Sequence, residues 1–413
     1  MNRRHPTPRR SHRHVLFTAV TLAALLAAGC QTPPPPPVQR ASVQDLPLDQ
    51  AIAVATDALA AQVKPAQATG LAGVIAKIDN KAPAKMPVLM DPSLDAASGQ
   101  QTALTRQFDQ KVNDRLRTHA HLDVLPFAQQ SLGRAQYLAV GTITRIDAGK
   151  GPYQIHLSLT DMKSGQVVAQ SSSRAADGGF DTTPTPYYRD TPVLMLKDHV
   201  VEGYMRTAQA APGQPADKAY LERVAAAAMI QEATTLYNNE RYPEALGLYR
   251  SALTTPAGEQ MRSLNGVYLT NWKLGNVAEA EQAFGKVVAL GLATRTLGVK
   301  FLFNPGGTEF WSDQKISGPY TVWLRQIARQ AAGSNVCMEV VGHTSRTGSE
   351  SFNDRLSAQR AAFIQKRLES EAPALAGKMK SSGVGYRENL IGTGTDDASD
   401  SLDRRVEFKI NQC

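Results

Sequence analysis

The sequence predicts a multidomain α/β and α protein: an N-terminal α/β domain, a pair of helical hairpins, and a C-terminal β-α-β-α-β domain. Three observations carry this. Helix-period and strand-period segments alternate up to about residue 174. A pattern of small and aromatic residues then recurs at a spacing of 35 between Ala245 and Val287. Beyond it, apolar strands alternate with two more helical segments up to Ile410. At 413 residues, 42% hydrophobic and 20% charged, the chain is long enough to bury several cores.

The formal net charge of +8 does not point to a nucleic-acid partner. Arg3, Arg4, Arg9, Arg10 and Arg13 all precede the apolar run Val15–Ala28, and without these five residues the charge falls to +3. Basic start, apolar stretch and small residues before Cys30 together have the layout of a secretory signal. Leu26-Ala27-Ala28-Gly29-Cys30 resembles a bacterial lipobox, although Ala27 stands where leucine is usual. That resemblance implies a signal peptide over 1–29, lipidation of Cys30 and, because Gln31 rather than aspartate follows, anchorage in the outer membrane; several acyl chains would hold it firmly. The leader also fits an ordinary signal peptide with Cys30 a bystander. Residues 30–44 then form a linker in which Pro33–Pro37 is stiff and extended.

The first domain is expected over 45–210. Leu48, Ile52, Ala55, Leu59 and Val63 share one helical face. Met86–Met90 is a buried strand, and Gln101–Leu116 a helix carrying Phe108 and Val112. Strands follow at Leu122–Leu125, Tyr137–Ile146 and Tyr153–Met162, with a turn at Lys163–Gln166 into Val167–Ser171. The phrases Val88–Asp91, Ala135–Ile143 and Leu157–Val168 resemble the periplasmic α/β domain of CsgG-like, FlgO-like and LpoB-like envelope lipoproteins. The resemblance implies a role in assembly or partner contact and carries no catalytic signature. Gly141 is expected to relieve crowding within its strand. In the connection Thr182–Pro192, Tyr187 and Tyr188 fit either an exposed protein contact or burial against a neighbouring domain.

Over 215–295, the segments Glu232–Leu253 and Leu264–Val287 resemble tetratricopeptide repeats. Ala245 pairs with Ala280, Tyr249 with Phe284 and Ala252 with Val287. A flanking helix over Asp217–Met229 is expected to cap the pair. Two repeats are fewer than the three or so that stand alone, so the piece is expected to lean on its neighbours, as a contact surface for envelope proteins or as a spacer.

In the last domain, 298–413, strands are expected at Phe301–Phe303, Val336–Gly342, Val384–Tyr386 and Val406–Ile410, with helices over Tyr320–Ala332 and Ser351–Glu369. The stretch Val341–Arg360, VGHTSRTGSESFNDRLSAQR, followed by Arg404-Arg405-Val406-Glu407, resembles the signature of OmpA-like peptidoglycan-binding domains. The resemblance implies binding of the diaminopimelate stem peptide of peptidoglycan. Arg360 would take its carboxylate with a bidentate fork, and Thr347, Asn353, Arg404 and Arg405 occupy matching positions. Ser345 stands where the family has the aspartate that pairs with the ammonium, and Asp403 where asparagine is usual. Exchanging a charge-assisted contact for a neutral one costs about 1–2 kcal/mol. Glu350, Asp354 or Asp403 are alternative sources of the missing charge. The bland reading makes Ser345 and Asn353 turn and cap residues and Arg360 a solvated helix residue.

Cys337 and Cys413 are a disulfide candidate in an oxidising compartment, or two free thiols. His343 with Ser345 lacks an orienting third group, and His119 and His121 at alternate spacing are poor metal evidence. No catalysis, cofactor or metal is expected. Two functions remain: an outer-membrane lipoprotein that binds peptidoglycan and scaffolds envelope proteins, or an assembly or regulatory factor whose last module binds cell wall weakly or not at all.

Overall fold

The computed structural model describes residues 44–64, 84–147, 151–196, 198–334, 336–394 and 399–413. The leader read as a signal peptide, Cys30 and the proline run lie outside them.

The first sheet has six strands in the order β1-β6-β5-β4-β2-β3. Its members are β1 (Asp45–Leu46), β2 (Met86–Met90), β3 (Leu122–Leu125), β4 (Tyr137–Arg145), β5 (Tyr153–Asp161) and β6 (Val167–Ala175). Strands β3, β2 and β4 run parallel and β4, β5 and β6 antiparallel. Two helices cover one face. In α1 (Leu48–Gln62), Leu48, Ile52, Ala55 and Leu59 are buried, as their four-residue spacing requires. Helix α2 (Ala103–Thr118) begins two residues later than expected because Thr102 and Thr105 form a reciprocal cap, each side chain accepting the other's backbone N–H.

Beyond α3 (Gln129–Leu132) and α4 (Pro186–Asp190), α5 (His199–Gln209) covers the opposite face. Its Val200, Val201, Tyr204 and Ala208 pack on Leu89, Leu138 and Val140. The Tyr204 hydroxyl donates to the Gly141 carbonyl at 2.8 Å and accepts the Gly141 N–H at 2.9 Å. A Cβ on Gly141 would stand 2.7 Å from Ser93 Oγ and 2.9 Å from Leu157 Cδ2, so the crowding expected there is present.

The expected capping helix over Asp217–Met229 is not one element. Asp217 instead caps the short α6 (Lys218–Leu221), and α7 (Val224–Asn238) runs unbroken into the segment read as the first repeat. Helices α7, α8 (Tyr242–Leu253), α9 (Met261–Lys273) and α10 (Val277–Ala293) form two antiparallel hairpins. Ala245, Ala280, Tyr249, Phe284, Ala252 and Val287 are all fully buried. The two inter-helix turns repeat as well: Glu240 and Gly275, 35 apart, both take a left-handed backbone, at φ 60° and 78°.

The second sheet has the order β7-β10-β8-β9, from β7 (Gly298–Val299), β8 (Val336–Gly342), β9 (Met379–Gly383) and β10 (Val406–Gln412). Strand β10 is antiparallel to β7 and β8, while β8 and β9 are parallel. After α11 (Gln314–Ser317), α12 (Tyr320–Ala332) and α13 (Glu350–Glu371) pack against this sheet. Two expected strands are corrected. The ladder stops at Val299, and Phe303 instead bridges Phe310 within an aromatic cluster. The strand expected at Val384–Tyr386 does not form there: β9 ends at Gly383, and the chain beyond it turns across α13. β9 escaped notice because Lys380, Ser381 and Ser382 give it no apolar alternation.

The repeats share a core with this module: Trp323 Nε1 donates to the Tyr268 hydroxyl at 2.6 Å and its ring stacks on Phe284. Cys337 and Cys413 are joined by a disulfide, 4.9 Å apart at Cα.

Candidate functional site

The C-terminal ends of parallel β8 and β9 and the first turns of α13 meet at one edge of the second sheet. Two glycines allow the approach. A Cβ on Gly342 would lie 2.1 Å from the Ser357 carbonyl oxygen, and one on Gly383 would lie 2.2 Å from Ala358 N. The loop after β8 is fastened by Thr344 N–H to the Gly385 carbonyl at 2.9 Å, and Gly385 N–H by the Ser357 hydroxyl at 2.9 Å. Ser349 caps α13, its hydroxyl accepting from Phe352 N.

Each residue singled out from sequence has a definite place here. Ser345 is buried, its hydroxyl 3.5 Å from that of Thr347. Asn353 is buried as well, and its amide donates to the carbonyls of Thr347 at 2.6 Å and Ser349 at 3.1 Å. It therefore holds the turn closed. Arg360, ten residues along α13 from Glu350 and so nearly three turns in, donates from Nε to the Gly307 carbonyl at 3.0 Å and from Nη2 to the Asn304 carbonyl at 3.1 Å. Its guanidinium sits 4.9 Å from the centroid of the Phe303 ring. This buried arginine is a brace for the 304–307 loop rather than the solvated residue of the bland reading.

The arginine pair divides. Arg404 is half-buried, and its charge is felt at the Tyr320 hydroxyl. Arg405 is buried, with Nε on Glu407 at 2.7 Å and Nη2 on the Glu388 carbonyl at 3.0 Å, so it belongs to the framework. Asp403 is fully buried and accepts the backbone N–H groups of Leu390, Ile391 and Gly392 at 2.6–3.1 Å. Burial pushes its carboxyl up, and those three donors oppose the shift. His343 is buried with its ring 3.9 Å from Glu407 and 4.0 Å from Glu388.

Sequence reasoning missed two residues. Arg387 pairs with Glu350 and Asp354 at the open rim, a link across more than thirty residues that no local pattern announces. Phe352 is an exposed aromatic, 3.9 Å from a Cβ built on Gly348 and 4.0 Å from one on Gly306. The discarded metal candidates are also placed: His119 Nε2 is 3.0 Å from Asp57 Oδ1, and His121 Nε2 3.2 Å from the Ala60 carbonyl. Among the described residues no cluster of ligating side chains could hold a metal ion, and no helix is long and apolar enough to cross a membrane.

The rim thus combines the Ser345 and Thr347 hydroxyls, the Glu350 and Asp354 carboxylates bridged by Arg387, and the exposed Phe352 ring. No protein-family profile matches the chain, and neither does any curated protein sequence. Among solved structures, the periplasmic domain of Helicobacter pylori MotB is 18% identical, covering 28% of this chain and 72% of its own, with a TM-score of 0.23. The peptidoglycan-associated lipoprotein from Burkholderia pseudomallei is 23% identical, covering 28% and 89%, also at 0.23. The OmpA-like domain of FopA1 from Francisella tularensis is 19% identical, covering 28% and 74%, at 0.19.

Proposed function

We propose that the chain is a periplasmic lipoprotein, anchored in the outer membrane through Cys30, that binds peptidoglycan non-covalently with its last module and offers its middle domains to envelope proteins. The observation that carries the binding reading is the convergence of the 343–348 loop, the start of α13 and the Arg360-braced 304–307 loop at one sheet edge. Arg404 supplies the cationic side for the carboxylate of a diaminopimelate stem peptide, with Arg360 bracing the 304–307 loop beside it. Glu350, Asp354 and the hydroxyls of Ser345 and Thr347 face its ammonium. Asn353 and Arg405 keep these loops in shape.

The test is co-sedimentation of the purified chain with diaminopimelate-containing sacculi, for native protein and for Arg404→Ala, Ser345→Asp and Arg360→Ala. Retention of the native chain, weakened in Arg404→Ala and strengthened in Ser345→Asp, supports the reading. Native retention that neither arginine substitution changes defeats the residue roles. One observation favours a second reading, an assembly or regulatory factor with little cell-wall affinity: Ser345 brings no charge, and Asp403 is enclosed by backbone N–H groups. A native chain that sacculi do not retain selects it.

A further inference from the structure

The two repeats hold a peptide already, and it is the chain's own. The connection that forms α4 lies across α7 and α9, the first helices of both hairpins. Tyr187 and Tyr188 are buried there, Tyr187 stacked on Tyr249 and edge-on to Tyr237. The contacts are polar and directional. The Asn238 side-chain oxygen accepts the Tyr187 N–H at 2.8 Å. The Tyr187 hydroxyl donates to the Arg262 carbonyl at 2.7 Å and accepts from the Asn265 amide at 3.2 Å. Asn265 also donates to the Thr191 hydroxyl. One turn on, Asp190 receives the Tyr237 hydroxyl at 2.9 Å and the Lys273 ammonium at 2.8 Å. Against the upward push of burial, Lys273 holds the Asp190 carboxyl below its usual range.

The same strand of chain then joins the second sheet. Leu194 N–H donates to the Gly298 carbonyl at 3.0 Å, Lys300 N–H to the Pro192 carbonyl at 2.8 Å, and Val193 lies opposite Val299 on β7. Buried Lys300 donates to the carbonyls of Tyr188 and Arg189 from below.

We propose that the repeat groove is a peptide-recognition site occupied in cis by Tyr187–Thr191. Its external partner is a protein segment carrying Tyr-x-x-Asp, which enters only by displacing this strap and thereby peels Pro192–Leu194 from β7. The inference stands apart from cell-wall binding and gives the middle of the chain a partner of defined chemistry: an aromatic hydroxyl and, three residues on, a carboxylate.

The experiment uses the full chain and a fluorescent synthetic peptide of residues Thr182–Leu196. A Tyr187→Ala, Asp190→Ala chain keeps Asn238, Asn265 and Lys273, and is expected to bind the peptide at least tenfold more tightly than the native chain does. The same peptide with Tyr187→Ala should lose that gain. Should the double variant not fold, Asp190→Asn carries the test, through peptide binding and through faster hydrogen exchange of the amides from Tyr187 to Leu194. A folded variant that binds the peptide no better than the native chain, or binds the Tyr187→Ala peptide equally, overturns the proposal. So does Asp190→Asn with native exchange and no gain in binding.

Discussion

The repeat groove and the loop edge of the second sheet both aim polar side chains at another stretch of chain, but the stretches differ in origin. In the groove, Asn238, Asn265, Tyr237 and Lys273 reach a segment dozens of residues upstream that folds as a separate strap. At the loop edge, Asn353 bonds carbonyls four and six residues away in its own turn. The first arrangement recognises something separable from itself; the second shapes the surface that would do the recognising. Loss of a groove residue should therefore change binding and stability together, whereas loop residues divide into framework and rim.

The sharpest way to break this comparison is to remove the strap's anchor. Tyr187→Ala is expected to destabilise the chain by about 3–5 kcal/mol in urea unfolding, the cost of emptying a buried aromatic site. A loss under about 1 kcal/mol would make the strap an ornament and the groove no different from the loops. Lys300, which holds the strap from below, gives a pH signature. Burial pulls its ammonium down to about 8, while in the unfolded chain it stays near 10.5. Between those values the unfolded chain holds a proton the native state lacks, so stability rises as pH rises across that window. The full swing is on the order of 3 kcal/mol. In Lys300→Met this rise should vanish, which denaturation at pH 8 and pH 10 will read directly.

At the loop edge the effects are smaller and should separate. Arg360→Ala takes the arginine donor from the Gly307 carbonyl and leaves the Asn304 carbonyl only the Gly307 N–H, and is expected to cost about 2 kcal/mol of stability. Arg404→Ala, on a half-buried side chain, should stay within about 0.5 kcal/mol while weakening sacculus retention. Equal destabilisation by both would erase the distinction between brace and rim. Ser345→Asp should tighten retention by roughly tenfold, about 1.4 kcal/mol. Smallest is Glu240→Gly. It relieves a left-handed position that the second repeat already fills with Gly275, for a gain of about 0.5–1 kcal/mol by thermal unfolding.

Most elements were legible because their apolar spacing is locally complete: α12 spans the Tyr320–Ala332 expected of it, and the Ala245/Ala280 and Tyr249/Phe284 pairs lie buried between helices. What escaped depended on partners elsewhere. β1 is two residues long and exists by pairing with Arg174 and Ala175. β9 is polar, and a single sequence does not tell which way Lys380 and Ser382 face. The strap's tyrosines left burial and exposure equally open, since the asparagines that receive them come some fifty and eighty residues later. The residues of Val341–Arg360 run from the end of β8 into the first turns of α13. Their pattern did not reveal that Arg360 would reach back to Asn304 and Gly307, because no spacing rule links a helix to a loop before it in the chain.

The bond between Cys337 and Cys413 bears on how such a molecule responds to load. It closes a covalent ring across 76 positions of chain, and Ser345, Asn353, Arg360 and Arg404 all lie within that ring. If the last module grips a wall while the upstream chain is pulled, tension enters at Cys337 and meets a tether that cannot lengthen. For load borne at Arg404 the bond replaces a path of 404 − 337 = 67 residues with one of 413 − 404 = 9 through Cys413. Arg404 can slip from its ligand, but the chain leading to it cannot be drawn out as thread.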